Sequence, residues 1–378
     1  MRAWLEVDLA GIDRNFQAIQ EKIGRTVAII AVVKSDAYGL GLEPVVQTLD
    51  RSGAQMFAVI SLQEAKRIRR VSKKPVLILG FLEDKEIAEA IENGFNLSLY
   101  ENKLAPLYER LAGRVGKKAR IHLKVDTGLN RLGVSLDQAA ELLTSQRHFP
   151  HLSFEAVFSH LYSASNRATN LEQLERIRSL ILKIGNRAEL LPIHLTSSAA
   201  IANFPEGYFD AVRVGAMLYW EDGQLPIEEV VRCKSVVMQV KEIGAGEGVS
   251  YDHQFIASKP MRIAVVGIGY AEGYRQIQRG SAAMLINGER AKVLGRVCMN
   301  YTVVELGQEP VKRGDEVVVL GQQLGPSGKR GRIELDELAK WFGLSHHEVI
   351  TGLGIALPKV YEGLKGGNNG RSVSIANK

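Results

Sequence analysis

Lys34 stands at the end of an apolar run that covers residues 27–33, and it is the first residue whose placement suggests chemistry. A buried lysine is costly unless it is paired or neutral, and a neutral amine adds to aldehydes to form a Schiff base. A structural lysine whose side chain snorkels to solvent from the end of a strand fits the same spacing. The run therefore predicts either a reactive amine or a structural cation at position 34.

A second group of residues has the composition of a phosphate site. Gly215 and Ala216 follow an apolar run at 211–214, and Ser198 follows a run at 192–196. Glycine lets the backbone approach an anion closely, and serine adds a hydroxyl group. A Schiff-base lysine together with a phosphate loop suggests pyridoxal 5'-phosphate (PLP), with Arg213 near its pyridine nitrogen. An ordinary ion pair of Arg213 inside the fold is the alternative.

Short β-branched runs alternate with helical patterns over the first two-thirds of the chain. The runs are 27–34, 56–60, 76–79, 95–99, 119–126, 154–159, 192–196 and 211–214. Eight buried strands separated by helices predict an α/β fold, a parallel (β/α)8 TIM-type barrel with its active site at the C-terminal ends of the strands. A doubly wound open sheet is the alternative, because the runs at 95–99 and 211–214 are short.

The pattern changes near residue 225. Alternating runs at 230–240, 261–266, 282–286, 292–297, 302–306 and 316–320 are separated by turns such as Asn287-Gly288, which is a hairpin signal. Helical patterns occur here only at 335–342 and 345–351. We therefore expect a barrel over residues 1–228 and a mostly β domain over 229–378. The alternation at 4–9 predicts a strand outside the barrel that pairs with the C-terminal domain.

Composition excludes several classes of protein. The 378 residues are 46% hydrophobic and 24% charged, with 48 Lys and Arg against 42 Asp and Glu. This is globular composition, and a net charge of +6 permits nucleic-acid or acidic-ligand binding without arguing for either at this length. Cys233 and Cys298 lie far apart without metal-ligand spacing, and no apolar run reaches about 18 residues. We expect a cytoplasmic protein with reduced thiols, no metal ion and no membrane span.

The sequence resembles the bacterial alanine racemases at several motifs, which occur in the same order along the chain. The cofactor-lysine motif is Ala31-Val32-Val33-Lys34-Ser35-Asp36-Ala37-Tyr38-Gly39. The resemblance continues at 124–128, 131–133, 197–200 and 212–215, and then at 249–251, 268–273 and 295–299. It runs almost end to end and implies the fold expected above. It also implies a PLP-dependent isomerase that interconverts L- and D-alanine and supplies D-alanine for peptidoglycan.

The resemblance also implies roles for individual residues. Lys34 carries the cofactor and acts with Tyr251 as a pair of bases on opposite faces of the substrate α-carbon. Arg213 faces the pyridine nitrogen, and the other cofactor contacts are Tyr38, His160, Ser198, Gly215 and Ala216.

Substrate contacts and assembly follow from the same resemblance. Arg131 and Met299 match positions that contact the amino-acid substrate, and Lys124 matches a lysine that is carbamylated in many members. The family is homodimeric, and Tyr251 and Met299 of one subunit complete the site around Lys34 of the other.

Three positions depart from the family pattern. Ser165 and Asn300 stand where acids are usual, and Ile355 stands where a tyrosine touches the cofactor phosphate and narrows the entrance. Loss of that ring suggests wider access, so a racemase with broader or different preference, for example for serine, is one alternative. A PLP-dependent decarboxylase is another, although Arg213 stands where that chemistry favours a carboxylate. A PLP-binding regulator is a third, although it would need neither a second domain nor Tyr251.

Three further patterns are interpreted as structural. The glycine-rich segment 267–273 has the wrong spacing for a dinucleotide site and no crossover helix after it. The basic run 66–74 has no interleaved aromatic residues, which favours a solvated helix face over a nucleic-acid site. His346, His347 and Glu348 do not match an HExxH zinc motif, and no third ligand is evident.

Overall fold

The structure is a computed structural model that describes residues 1–185, 191–220, 225–278 and 280–363. The chain divides into two compact units. The barrel unit comprises Gly11–Ala37 and Leu42–Glu229, and the β unit comprises Met1–Ala10, Tyr38–Gly41 and Val230–Lys378. The chain opens with strand β1 (Ala3–Asp8) and helix α1 (Leu9–Ile23). Among the described residues, no helix is both long enough and apolar enough to cross a membrane.

Eight parallel strands form the sheet of the barrel unit. They are β2 (Ala28–Val32), β3 (Met56–Val59), β4 (Val76–Ile78), β5 (Asn96–Leu99), β6 (Ala119–Lys124), β7 (Leu152–Phe158), β8 (Ile193–His194) and β9 (Ala211–Val214). Their order is β8-β7-β6-β5-β4-β3-β2-β9, and a parallel bridge between Ser197 and Arg213 joins the two ends. The nearly closed sheet confirms the barrel prediction and contradicts the open-sheet alternative.

Burial on both faces explains why these strands were visible as apolar runs. Every residue of β4, β5 and β9 is buried, as expected for a parallel sheet covered by helices. Ile30, Ala58, Leu77 and Ala211 form one cluster across four neighbouring strands. Between the strands lie the short turn α2 (Lys34–Tyr38) and the helices α3 (Leu42–Ser52), α4 (Leu62–Val71), α5 (Asp84–Glu92), α6 (Leu104–Val115), α7 (Leu136–Thr144) and α8 (Arg167–Ile184).

The β unit contains a closed ring of six antiparallel strands. Its elements after residue 230 are β10 (Val231–Ile243), β11 (Gly248–Val249), β12 (Phe255–Ile256), β13 (Met261–Val266), β14 (Ala283–Ile286), β15 (Glu289–Leu294), β16 (Thr302–Leu306), β17 (Glu316–Leu324), β18 (Arg330–Ile333), α9 (Leu335–Phe342), α10 (His346–Ala356) and β19 (Lys359–Glu362). The ring runs β10-β13-β16-β15-β14-β17 and returns to β10. β1 lies outside it, and Leu5 pairs with Cys233 on β10 and with Lys359 on β19.

Candidate active site

Lys34 lies just beyond the end of β2 and opens α2, which is a single left-handed turn. The φ angles of Ser35, Asp36, Ala37 and Tyr38 are 56°, 56°, 53° and 59°. A left-handed backbone costs about 1–2 kcal/mol for each residue with a Cβ atom, so other contacts must hold the turn. Backbone strain of this kind clusters at functional sites.

The surroundings of Lys34 favour its neutral form. Burial and the nearby Arg131 guanidinium lower the pKa of Lys34, while Glu64 acts in the opposite direction. A lower pKa raises the fraction of neutral amine, which is the nucleophilic species. Such a shift is what the reactive-amine interpretation of position 34 requires.

Arg213, on β9, is buried and held without a carboxylate. Its Nη1 donates to His194 Nδ1 (2.8 Å) and to the His194 carbonyl (2.6 Å). The two hydrogens of its Nη2 are shared among three acceptors: the carbonyls of Ser159 (2.5 Å) and Leu195 (3.0 Å) and His160 Nδ1 (3.1 Å). Among the described residues no acid pairs with it. Burial lowers the pKa of Arg213 to about 9, which leaves it charged at neutral pH.

The partners of Arg213 fix the protonation of three histidines. A guanidinium can only donate, so His194 and His160 must accept at Nδ1 and carry their proton at Nε2. His194 Nε2 then donates to His122 Nδ1, 3.0 Å away. Burial and the Arg213 charge lower the pKa of His122 and His160 to about 3 and that of His194 well below its usual value. All three imidazoles are neutral at physiological pH.

Lys124, the last residue of β6, is a second lysine with a depressed pKa. Its Nζ lies 4.6 Å from the centre of the Phe158 ring, and the Arg213 guanidinium lies 5.4 Å from the same ring. Burial, Arg213 and Arg131 lower the pKa of Lys124 to about 7. A substantial fraction of this amine is therefore neutral and nucleophilic near pH 7.

Four basic side chains converge in the barrel unit. After burial, the charges that lower the pKa of His160 are those of Arg213, Lys124, Arg131 and Lys34. The nearby carboxylates are already engaged by the backbone: Glu64 accepts from the Asp36 N–H (2.9 Å) and Asp126 from the Gly128 N–H (2.8 Å). This concentration of positive charge predicts an anionic ligand.

Ser198, Gly215 and Ala216 lie together beside Arg213. The Gly215 N–H donates to Ser198 Oγ at 3.0 Å, and Ser197 bridges to Arg213. Ser198 and Ala216 each open a short 3-10 turn. The first amides of such a turn have no partner within it and are available to an anion.

Tyr251 and Met299 lie in the β unit on exposed segments. The Tyr251 side chain is 65% exposed and the Met299 side chain 54%. The loop before Tyr251 is tied down by Ser250 Oγ, which donates to the Arg296 carbonyl (2.7 Å). Asn300 Nδ2 donates to Glu272 Oε1 (2.8 Å). An aspartate, the residue usual in the family at position 300, would repel the Glu272 carboxylate.

Tyr38 belongs to the β unit although it ends the turn that begins at Lys34. Burial raises the pKa of Tyr38 to about 12, so its hydroxyl remains a donor. The segment after it is clamped: Tyr361 Oη donates to the Leu40 carbonyl (3.1 Å), and Gly39 abuts Gly354. Ile355, next along α10, is exposed.

His122 and Phe158 were missed by the sequence reasoning. His122 stands two residues before Lys124 on β6, so alternation along a strand places both on one face. That spacing was the available signal for His122. Phe158 carried none, because an aromatic residue in an apolar strand is ordinary core.

Comparison with known proteins bears directly on this arrangement. Family models of the alanine racemase N-terminal and C-terminal domains match residues 7–222 and 230–361. An alanine racemase of Desulforamulus reducens is 32% identical over 376 residues, which cover 95% of this chain and 99% of the relative. The crystal structure of alanine racemase from Bacillus anthracis with bound L-Ala-P has a TM-score of 0.88 at 29% identity, covering 100% and 97% of the two chains. That of Bartonella henselae, with covalently bound pyridoxal phosphate, has a TM-score of 0.85 at 25% identity, covering 96% and 99%.

Proposed function

The chain belongs to the alanine racemase family, and we propose that it interconverts L- and D-alanine with Lys34 and Tyr251 as its two bases. It is a PLP-dependent isomerase, as the members of this family are. One observation supports the assignment of the site most strongly. A lysine with a lowered pKa stands on a strained turn, in a cluster of cations whose central arginine has no acidic partner among the described residues.

The donor set of the barrel unit fits PLP, which has an aldehyde, a phosphate dianion and a pyridine nitrogen. In this proposal Lys34 binds the aldehyde, and His160 lies at the ring. Arg213 donates to the pyridine nitrogen through Nε–H, since Nη1 and Nη2 are engaged by protein acceptors. Ser198 Oγ already accepts from Gly215, so its hydroxyl hydrogen is free to point at a phosphate oxygen. The remaining phosphate contacts are Tyr38, Gly215 and Ala216.

Racemisation requires one group to remove the α-proton and another to return a proton on the opposite face. When bound, PLP supplies the electron withdrawal that makes the α-proton acidic. We assign one face to Lys34 Nζ, whose lowered pKa favours the neutral, proton-accepting amine. We assign the other face to Tyr251 Oη, on a side chain that is exposed and available to a partner subunit.

Arg213 supports racemisation over other PLP chemistry. Its guanidinium stays protonated, and a positive donor disfavours protonation of the pyridine nitrogen. The electron withdrawal available to the substrate is then weaker, which suppresses side reactions such as transamination. A decarboxylase needs strong withdrawal and a carboxylate at this position, so Arg213 argues against that alternative.

The substrate carboxylate is assigned to Arg131, with Met299 as a further substrate contact. Lys124 is assigned as a carbamate, because its pKa of about 7 leaves a neutral amine that can add to carbon dioxide with loss of a proton. The new negative charge would pair with Arg131, whose charge acts on Lys124 in this structure. Such a pair would orient the arginine toward its ligand.

Exposed apolar side chains support a homodimer in which Tyr251 and Met299 of one subunit reach Lys34 of the other. In the barrel unit, Ile60, Phe81 and Tyr162 are 43%, 73% and 43% exposed in loops that follow β3, β4 and β7. A second copy could cover these residues and the exposed side chains around Tyr251. The cytoplasm, where both free thiols would stay reduced, is the proposed location, and peptidoglycan precursors the proposed destination of D-alanine.

The test is to incubate the PLP-loaded protein with L-alanine in deuterated water and to follow the α-proton by NMR together with chiral chromatography. We expect exchange with formation of D-alanine, and a loss of about 10²–10⁴-fold in Tyr251→Phe, which keeps the ring. Serine turnover as fast as alanine turnover would favour the broader racemase that Ile355 suggests. Release of carbon dioxide would indicate a decarboxylase, and a yellow, borohydride-reducible protein without exchange would indicate a regulator.

A further inference from the structure

The strained turn that presents Lys34 is held from helix α4. The Ala37 N–H donates to the carbonyl of Val33, the residue before α2, at 2.9 Å. The left-handed run includes no glycine before position 39, so its conformation is costly for each residue. Asp36, at the centre of the turn, also contacts side chains and backbone farther along the chain.

Glu64 supplies the first of these contacts. It is a buried carboxylate in the first turn of α4, 8% exposed. Its Oε1 accepts from the Asp36 N–H (2.9 Å), and its Oε2 accepts from the Ile60 N–H (3.1 Å). Glu64 therefore ties the backbone of the lysine turn to the loop that follows β3.

Arg67, one helical turn later, supplies the second contact. Its Nη2 donates to Asp36 Oδ1 (2.7 Å). Its Nε donates to Glu43 Oε1 (2.7 Å), and its Nη2 donates to Glu43 Oε2 (2.6 Å). Asp36 Oδ1 also accepts from the Leu42 N–H (3.1 Å). The two-point contact with Glu43 fixes the direction of the guanidinium, as is typical of arginine–carboxylate pairs. Arg67 belongs to the basic run 66–74, which was interpreted as a solvated helix face; its side chain is 37% exposed and pairs with Asp36 and Glu43.

We propose that Glu64 and Arg67 are positioning residues that hold the left-handed turn at Asp36 and thereby aim Lys34 Nζ at the cofactor aldehyde. This inference rests on the proposed function only in naming that aldehyde. Glu64 has a second effect, because its negative charge opposes the influence of burial and of Arg131 on the charge of Lys34. Glu64→Gln removes the charge and keeps one oxygen acceptor, which can still serve the Asp36 N–H, although the bond from the Ile60 N–H is lost. It should therefore change the chemistry of Lys34 without freeing the turn at Asp36.

The chain offers a matched control for Arg67. Lys66 is the preceding residue on α4, is equally half-buried, and pairs with Glu89 on α5 at 2.6 Å. Lys66→Met therefore removes a cation and an ion pair from the same helix without touching the lysine turn. Arg67→Met removes the same charge together with the contact to Asp36.

Two readouts test the proposal. The first is the PLP dissociation constant, measured from the visible absorption of the loaded protein. The second is the rate at which formaldehyde and cyanoborohydride methylate Lys34 in the PLP-free protein, followed by peptide mass spectrometry from pH 6 to pH 10. Circular dichroism and thermal melts check folding in each variant.

We expect Arg67→Met to weaken PLP binding at least tenfold, while Lys66→Met stays within about twofold of the parent protein. Glu64→Gln keeps an oxygen acceptor for Asp36 and should bind PLP within a few-fold, but its Lys34 methylation profile should move to lower pH. Glu64→Ala removes both the hydrogen bond to Asp36 and the negative charge, so it should both weaken PLP binding and move the methylation profile to lower pH. If Glu64→Ala fails to fold, Arg67→Met and Glu64→Gln still decide the matter.

Equal PLP affinity in Arg67→Met and Lys66→Met, with an unmoved methylation profile in Glu64→Gln, would overturn the proposal. Failure of the proposed function gives a different pattern. If the parent protein binds PLP but does not racemise alanine, the PLP dissociation constant and the Lys34 methylation rate can still be measured, and they still test the proposal. A parent protein that does not bind PLP would leave the methylation arm to decide, with Arg67→Met expected to change the rate at Lys34 and Lys66→Met not.

Discussion

Replacing Gly354 by alanine should damage the cofactor site from within the β unit. A Cβ atom at this position of α10 would lie 2.6 Å from the Gly39 carbonyl oxygen and 2.8 Å from the Gly39 Cα. Gly39 would have to retreat about 0.8 Å to restore ordinary contact at 3.4 Å, and its neighbour Tyr38 is the proposed phosphate contact. Displacements near 1 Å at a positioned group can cost up to about 10²-fold in function. We expect PLP to bind at least tenfold more weakly.

Gly352→Ala is the control for this change. Gly352 lies on the same helix, and a Cβ atom there would meet nothing within 4 Å. Both substitutions gain about 1 kcal/mol of helix propensity, but only Gly354→Ala adds an overpacking cost of about 1–3 kcal/mol. The thermal midpoint of Gly354→Ala should therefore lie several degrees below that of Gly352→Ala. If both variants bind PLP and melt alike, the close approach of Gly39 and Gly354 does not position Tyr38.

Three other changes have defined outcomes. Intact-mass spectrometry under mild conditions should show one carbamate that is lost on acidification and is absent from Lys124→Gln; an unmodified mass would contradict the assignment. Ile355→Tyr should raise the ratio of alanine to serine turnover and tighten PLP by one hydrogen bond, about 0.5–1.5 kcal/mol; an unchanged ratio would show that position 355 does not limit access. Lowering the pH from 7 to 5 should destabilise the fold, because His122 and His160 have pKa values of about 3 when folded against about 6.5 when unfolded. The unfolded chain then binds more protons, each histidine costs up to about 2 kcal/mol at pH 5, and urea unfolding of His122→Asn should show a smaller loss.

The barrel could be predicted because its strands are buried on both faces and read as continuous apolar runs. The same logic placed Lys34, Lys124, His160, Ser198 and Arg213 near one another, since the carboxyl ends of parallel strands meet at one end of a barrel. It failed at β15, where the run expected at 292–297 is a strand over Glu289–Leu294. The polar residues that open this strand, directly after the Asn287-Gly288 turn, masked its start. β11, β12, β18 and β19 were missed because two to four residues are too few to show alternation.

The turn after Lys34 had no local signal at all. Ser35, Asp36 and Ala37 contain no glycine, and their left-handed conformation depends on side chains of α4 about thirty positions later. For the same reason Arg67 looked like one more cation of a solvated face. The roles of Tyr251 and Met299 came from the family resemblance alone, because spacing along one chain carries no information about a second copy.

The hydrogen-bond partners of Arg213 explain why three histidines lie at the site although none of them is proposed to transfer a proton. An aspartate partner would cancel the guanidinium charge, whereas carbonyls and imidazole nitrogens accept its hydrogen bonds and leave the charge in place. The guanidinium keeps its proton at neutral pH because its pKa is about 9, and His122 and His160 stay neutral because theirs are about 3. This set therefore neither takes up nor releases a proton across the physiological range. Lys34 and Lys124 are the two described amines near the proposed cofactor whose pKa is lowered, and carbamylation would withdraw Lys124 from proton exchange. In the proposed mechanism, proton transfer on the barrel side is therefore left to Lys34, and Tyr251 acts on the other face.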